Sequence, residues 1–299
     1  MKTAAFIFGL ALSLVCVVHA QETGKTQAER VAVLKDKRIN ESSGLAVSLR
    51  EPGVFWTLND SSGEPCVYAI DQTGKTRGKI RIPNAVNFDW EDLASAKAED
   101  GTPHLYIADI GDNLGVRPTI TVYEIAEPSL PKDAGKEELS AEPKVWHVKY
   151  PDGHHNAETL LVHPLTHRIY VLTKREDGHS ALYLFPEKLV SGVPGLLQKI
   201  AAVEFPNRHR LGKRPLDASQ TTGGAFSQDG RRIAIATYSD IHEWTLKADD
   251  KVETVLPTES RIIEVPLTSQ MEAVCYDAGN ETLWFTSERL PTPLWRIKR

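Results

Sequence analysis

Short runs of alternating apolar and polar residues recur along the chain, punctuated by Gly, Pro, Asn and Asp. That alternation has the period of a half-buried strand, not of a helix. Laid over one another, the runs give five copies of a four-strand unit. First strands begin at Ser43-Gly44-Leu45-Ala46, Glu91-Asp92-Leu93-Ala94, Glu158-Thr159-Leu160-Leu161, Gly223-Gly224-Ala225-Phe226 and Glu272-Ala273-Val274-Cys275. Second strands centre on Trp56, Tyr106, Tyr170, Ala234 and Trp284, and third strands carry Tyr68, Tyr123, Tyr183, Trp244 and Trp295. Fourth strands fall at 79–82, 145–150, 201–205 and 261–265, each closely followed by Pro83, Pro151, Pro206 or Pro266. Glu187–Lys199 is the single stretch with a modest helical period.

The fifth copy ends at Arg299 after its third strand. The segment Arg30–Asp36 (RVAVLKD), ahead of the first copy, has the pattern of the missing strand and would close the ring, leaving no open end. Successive copies start 48, 67, 65 and 49 residues apart, near or above the length of a four-stranded propeller blade. Insertions at 126–144 and 187–200 and a loop at 207–220 fill the longer intervals. The expected fold is an all-β, five-bladed β-propeller, with six blades as the alternative.

Residues 1–20 combine Lys2, an apolar run and Val18-His19-Ala20, the features of a signal peptide with a small-residue cleavage site. Residues 21–29 then read as a linker and 30–299 as a single domain in a secreted or periplasmic protein, an uncleaved anchor being the other reading. No later apolar run is long enough to span a bilayer. Lys and Arg number 35 against 40 Asp and Glu, and a net charge of −5 argues against nucleic acid as a partner. Cys66 and Cys275 sit inside apolar strand patterns and read as buried thiols.

The candidate chemistry lies where first strands begin and second strands end, because antiparallel neighbours bring those points to one face. Three residues past each second-strand centre stand Asn59, Asp109, Thr173, Thr237 and Ser287, all short and polar. Such residues also satisfy turn backbones. The next positions hold Asp60, Ile110, Lys174, Tyr238 and Glu288. Glu91, Glu158 and Glu272 head otherwise apolar inner strands, and carboxylates are rarely buried unless paired or bound to a metal. Hard oxygen donors without Cys or His spacing favour calcium or magnesium. The expectation is one divalent cation, calcium, held among Glu91, Glu158, Glu272, Asp60 and Asp109; a hydrogen-bonded acid ring with Lys174 and Arg175 is the competing picture. A basic loop carrying Arg208 and Arg210, together with Tyr238, suits an anionic substrate, and His154 or His155 could act as base. No EF-hand loop, nucleophile elbow, phosphate-binding glycine loop or dinucleotide fingerprint occurs.

As a set, the motifs SSGLA (42–46), WTLND (56–60), DWEDLA (89–94), YIADIGDN (106–113), YPDGHHNAETLL (150–161), LTKR (172–175), GGAFSQDGRR (223–232) and MEAVCYD (271–277) resemble a largely uncharacterised family of exported bacterial β-propellers. That family sits near the calcium-dependent lactonase, phosphotriesterase and phytase-like propellers. The resemblance implies an axial calcium, with Glu91, Glu158 and Glu272 at the positions where its ligands would lie; Ser43 and Gly223 depart from that pattern. Two functions follow as expectations. One is a secreted propeller binding a small anionic molecule, a glycan or a protein partner at an acidic channel mouth. The other is a calcium-dependent hydrolase of a phosphoester, lactone or ester, with His155, Lys174 and Arg175 as its catalytic groups.

Overall fold

The computed structural model describes residues 27–61, 63–131, 138–207 and 218–299. The expected signal segment and the basic loop with Arg208 and Arg210 lie outside them.

Five sheets surround a central axis, in chain order. Their inner strands are Ser42–Val47, Trp90–Lys97, Ala157–Val162, Thr221–Phe226 and Met271–Tyr276. Each lies against the next, and the fifth returns to the first. Burial falls outward. Inner strands are almost wholly buried, whereas a fourth strand such as Gln198–Glu204 shows one face to solvent. The sheets therefore pack face to face around the ring, and each junction has its own core. Trp56, Leu58 and Ile80 meet Trp90 and Ile107 between blades one and two. Phe55 and Tyr68 meet Trp284 and Leu294 between blades five and one. Five such apolar clusters for five junctions make this a five-bladed propeller, not a six-bladed one.

The ring closes through the N-terminal region. Ala28–Val33 pairs antiparallel with Pro293–Lys298 of blade five, matching Ala28 to Ile297 and Val33 to Pro293. The strand starts two residues before the expected Arg30, so Ala28 and Glu29 are sheet rather than linker. Arg296 donates to Glu29 across this seam at 2.8 and 3.0 Å.

Two insertions also become sheet. Glu138–Ser140 lies parallel to the fourth strand of blade one, Thr76–Arg81. Gly195–Leu196 lies parallel to that of blade two, Lys144–Lys149. Both cover outer edges that would otherwise offer unpaired backbone groups. The helix expected over Glu187–Lys199 does not form. Val190 bridges to Val193 around Gly192 at φ 76°, and Pro194 follows, so the segment turns before a helix can nucleate. The helix found among the described residues is a single turn, Val252–Val255. Cys66 and Cys275 are free and buried, as their strand positions imply.

A buried polar clasp joins blades four and five. Tyr276 donates its hydroxyl to Glu243 at 2.7 Å, and Arg299 donates to the other carboxylate oxygen at 2.5 Å. Arg261 stands farther off, at 3.6 Å and half exposed. Arg299→Ala leaves a buried carboxylate short of its main cation. Such losses cost about 3 kcal/mol or more, which for a chain of this size lowers Tm by roughly 5–10 °C. Thermal unfolding followed by circular dichroism checks this, and a shift under about 2 °C would show that the clasp does not hold these blades.

Candidate functional site at the channel mouth

In every blade the first residue of the inner strand pairs with the last of the second strand: Ser42 with Asn59, Trp90 with Asp109, Ala157 with Thr173, Thr221 with Thr237, Met271 with Ser287. The polar column read from the sequence is therefore a ring of second-strand ends at one face. Directly after these pairs each inner strand carries one extra residue: Glu91, Glu158, Thr222 and Glu272 in blades two to five, while in blade one Ser43 and Gly44 together face Leu58. A bulge bends its strand and re-aims the side chain it holds, and here it repeats five times around one axis. In the fourth blade the bulged residue is Thr222. Gly223, placed there by sequence alignment, lies one step on and pairs with Ala236. Two threonines followed by two glycines allow both registers, and only the bulge separates them.

Thr222 Oγ1 is buried with no hydrogen-bond partner among the described residues. One step below the bulges the ring reads Gly44, Asp92, Thr159, Gly223 and Ala273. Asp92 fills the space that its small neighbours leave. Its carboxylate accepts from the amides of Leu160 at 2.9 Å and Gly224 at 3.1 Å, tying blade two to blades three and four. Gly44 has to be glycine, because a Cβ there would stand 2.7 Å from the Leu93 amide nitrogen. Burial lifts the Asp92 carboxyl well above the usual range, opposed by those amides.

Above this plug the acids gather. Carboxylate oxygens of Asp60, Asp89 and Glu91 lie within 4.8 Å of one another. Asn87 positions the Asp60 loop, donating to the carbonyls of Asn59 at 3.2 Å and Asp60 at 2.8 Å while accepting from the Trp90 amide. Gly111 closes the other side; a Cβ there would collide with the carboxylates of Glu91 and Asp89. Among the described residues no donor reaches the Glu91 or Asp89 carboxylate. Burial raises Asp89 to about 6, helped by Asp60. Burial lifts Glu91 well above its ordinary value, with Glu158, Asp60 and Asp89 adding repulsion.

Glu158 and Glu272 belong to the same mouth but play other parts. Glu158 is paired closely with Lys174, whose ammonium also donates to Tyr238 OH at 2.7 Å. Burial pushes Glu158 up to about 7 despite that cation. Glu272 accepts from Gln270 at 3.3 Å and is driven well above the usual range by burial and by Glu158. Partial burial, with Asp60 and Glu41 nearby, raises Glu288 to about 7. Lys174 is lowered by burial, yet Glu158, Tyr238 and Glu272 outweigh that and hold it firmly charged.

The expected residues thus sort into three groups. Glu91, Glu158, Glu272, Asp60, Lys174 and Tyr238 converge. Asp109 sits just outside the cluster: Arg117 pairs with it at 2.8 Å, and it accepts from the Asp89 amide at 3.1 Å. Arg175 turns away to Asp177 at 2.8 Å and is half exposed. Beside the ring opens a cleft of about 550 Å³ lined by Lys174, Arg175, His154, His155, Asn156 and Leu114 among others. His155 Nε2 lies 3.0 Å from Asp152 and 3.1 Å from Tyr183 OH, and the Tyr150 ring meets it edge-on. His154 donates from Nδ1 to the Arg117 carbonyl at 2.6 Å. Of the second-strand ends, Asn59 serves its turn, bonding to the Arg38 carbonyl and the Glu41 amide. Asp89 escaped the sequence reading, although it stands two residues before Glu91, the spacing that puts extended residues on one face.

No protein-family model matches the chain, and no curated protein sequence matches it. Among solved structures it is similar to a gluconolactonase from Xanthomonas campestris, at 13% identity over 86% of this chain and 71% of that one, with a TM-score of 0.45. A likeness that distant carries no argument about this chain.

Proposed function

We propose that the protein is a divalent-cation-dependent hydrolase of a small ester-type substrate, a lactone or phosphoester, and that calcium is the ion. One observation carries this reading: the buried Glu91 carboxylate and the half-buried Asp89 carboxylate face Asp60 at ion-binding separation, and among the described residues neither has a hydrogen-bond donor. Buried charge without a donor or counter-ion is strongly unfavourable, and the all-oxygen set suits calcium. Asp60, Asp89 and Glu91 would hold the ion. When bound, such an ion supplies polarisation of a substrate oxygen and an acidified water.

The chain's own groups fit the remaining roles. Lys174, fixed between Glu158 and Tyr238 at the border of ring and cleft, would offset negative charge developing on the substrate. His155 is oriented by Asp152 and Tyr183, which leaves Nδ1 to take a proton from the cleft. Export, expected from residues 1–20, accords with a calcium site of extracellular affinity. A second reading is a propeller that binds an anionic molecule, glycan or protein without turning it over; in its favour, Arg175, expected as a catalytic cation, is paired with Asp177 instead.

The test strips the mature protein with a chelator, restores calcium or magnesium, and follows turnover of phosphomonoester, phosphodiester and lactone panels. Turnover restored by calcium supports the hydrolase. Calcium binding without turnover on any panel leaves the binding propeller, and no calcium binding overturns both the ion and the reaction.

A further inference from the structure

Four of the eleven large apolar side chains that stand exposed among the described residues crowd onto two loops of blade two. Val86 and Phe88 precede its inner strand, and Leu114 and Val116 lie between its second and third strands. Leu114 is 84% exposed, Val116 64%, Val86 63% and Phe88 59%. Scattered apolar residues are ordinary on a surface, but a cluster beside a cleft marks a contact.

The patch is held in shape. The Arg117 guanidinium lies 4.7 Å from the Phe88 ring centroid while donating to the Gly111 carbonyl at 2.6 Å and pairing with Asp109. Asp112 accepts from the amides of Val116 and Arg117, fixing the turn that presents Leu114. Arg117 thus ties the two loops to one another as a shelf, and a surface already held in place costs little ordering when something binds it. The shelf also runs into the site. Leu114 lines the same cleft as Lys174 and His155, and Phe88 is followed directly by Asp89 of the acid cluster. A cleft of about 550 Å³ is the size of a small-molecule site.

We propose that the ligand of this mouth is an amphiphile, an ester, lactone or phosphoester bearing an apolar substituent of several carbons, which lies over Leu114, Val116, Phe88 and Val86 while its polar end enters the cleft beside Lys174. The placement of the polar end rests on the hydrolase reading above. A lipid bilayer is the poorer occupant, because Asp89 and Asp112 on these loops, with Asp60 beside Asp89, would repel an anionic surface.

The experiment titrates the calcium-loaded protein with n-alkyl phosphates from ethyl to octyl by calorimetry, which needs no turnover. Affinity should tighten about threefold per methylene, somewhat under the fourfold of complete burial. In a Leu114→Ser/Val116→Ser double variant of unchanged Tm the slope should flatten, with ethyl phosphate affinity held within about twofold. A flat slope in the parent, an unchanged slope in the variant, or no binding of any alkyl phosphate overturns the proposal. So does cosedimentation with phosphatidylcholine vesicles that the double variant loses, which would assign the shelf to a membrane. Failure of the hydrolase reading shows separately, as absent turnover of the matching alkyl esters with the chain-length slope intact; the amphiphile site then stands as a binding site.

Discussion

Glu91→Gln should abolish calcium binding and lower turnover by about 10²–10³-fold, and in chelator the variant should melt higher than its parent. The two effects have opposite sign because Glu91 acts through charge alone. Its carboxylate is buried on a bulge that aims it at Asp60 and Asp89, and no donor among the described residues compensates it. Metal-free, the acid costs stability, because burial and repulsion from Glu158, Asp60 and Asp89 oppose its ionisation and the folded chain must hold a proton that the unfolded chain releases. The amide removes that cost and removes a ligand together. Calcium at a hundred times its Kd should stabilise the parent by about 2.7 kcal/mol and the variant by nothing measurable. Asp109→Asn is the contrasting case. It deprives Arg117 of its carboxylate, so it should lower stability with and without calcium while leaving calcium affinity within about threefold. Calcium titration, melting curves in both states and kcat check all of this. A Glu91→Gln protein that melts lower in chelator and keeps its turnover would make Glu91 a structural acid.

What could be read from the sequence and what could not divide along a physical line. Strand period, prolines and aromatic centres repeat with each blade, so five sheets and a closing N-terminal strand were legible in the spacing alone. The bulges were not, because an extra inner-strand residue changes no periodicity longer than itself. Yet it is the bulge that decides between Thr222 and Gly223. Glu91, Glu158 and Glu272 showed as polar intrusions in apolar strands. Their division of labour did not, since it depends on where Lys174 of blade three reaches: to Glu158 and Tyr238, leaving Glu91 to Asp60 and Asp89. Asp109 looked equivalent to the other acids until Arg117, eight residues on in the next loop, folded back onto it. The failed helix at Glu187–Lys199 has a similar origin: one residue at positive φ, Gly192, outweighs a modest apolar period.

The metal-free protein should lose stability as pH rises from 5 to 8, and calcium should suppress most of that loss. Burial lifts Asp89 to about 6 and Glu158 and Glu288 to about 7 in the folded protein, and lifts Glu91 and Glu272 well above the ordinary carboxyl value. Each therefore holds its proton more tightly folded than unfolded, where carboxyls titrate near 4. Between those two values the native state carries the extra proton, so raising pH through the interval favours the unfolded chain. Partners set the size of the effect. Glu158 faces Lys174, which keeps its charge throughout, and Glu288 faces Asp60, Glu41, Lys174 and Arg289 from a partly solvated position. Asp89 faces Asp60, Arg117, Asp109 and Asp112. With those cations and that solvent screening, the sum over the cluster is on the order of a few kcal/mol. The carboxyls that pairing lowers, Asp36, Asp152 and Asp177 among them, act below this window and do not mask it. His163, which burial lowers, works in the opposite direction, but it is one group against these five carboxyls and Asp92, Asp60 and Asp109, which burial raises as well. Denaturant midpoints at pH 5, 6, 7 and 8 in chelator should fall steadily, whereas with millimolar calcium they should stay nearly level, so that the ion's gain is greatest at pH 8. A level curve in chelator, or an equal fall with and without calcium, would mean that a counter-charge other than a divalent cation already balances these acids. In Glu91→Gln the chelator curve should be shallower, because one of the opposed carboxylates has gone from the set that Asp60 and Asp89 repel.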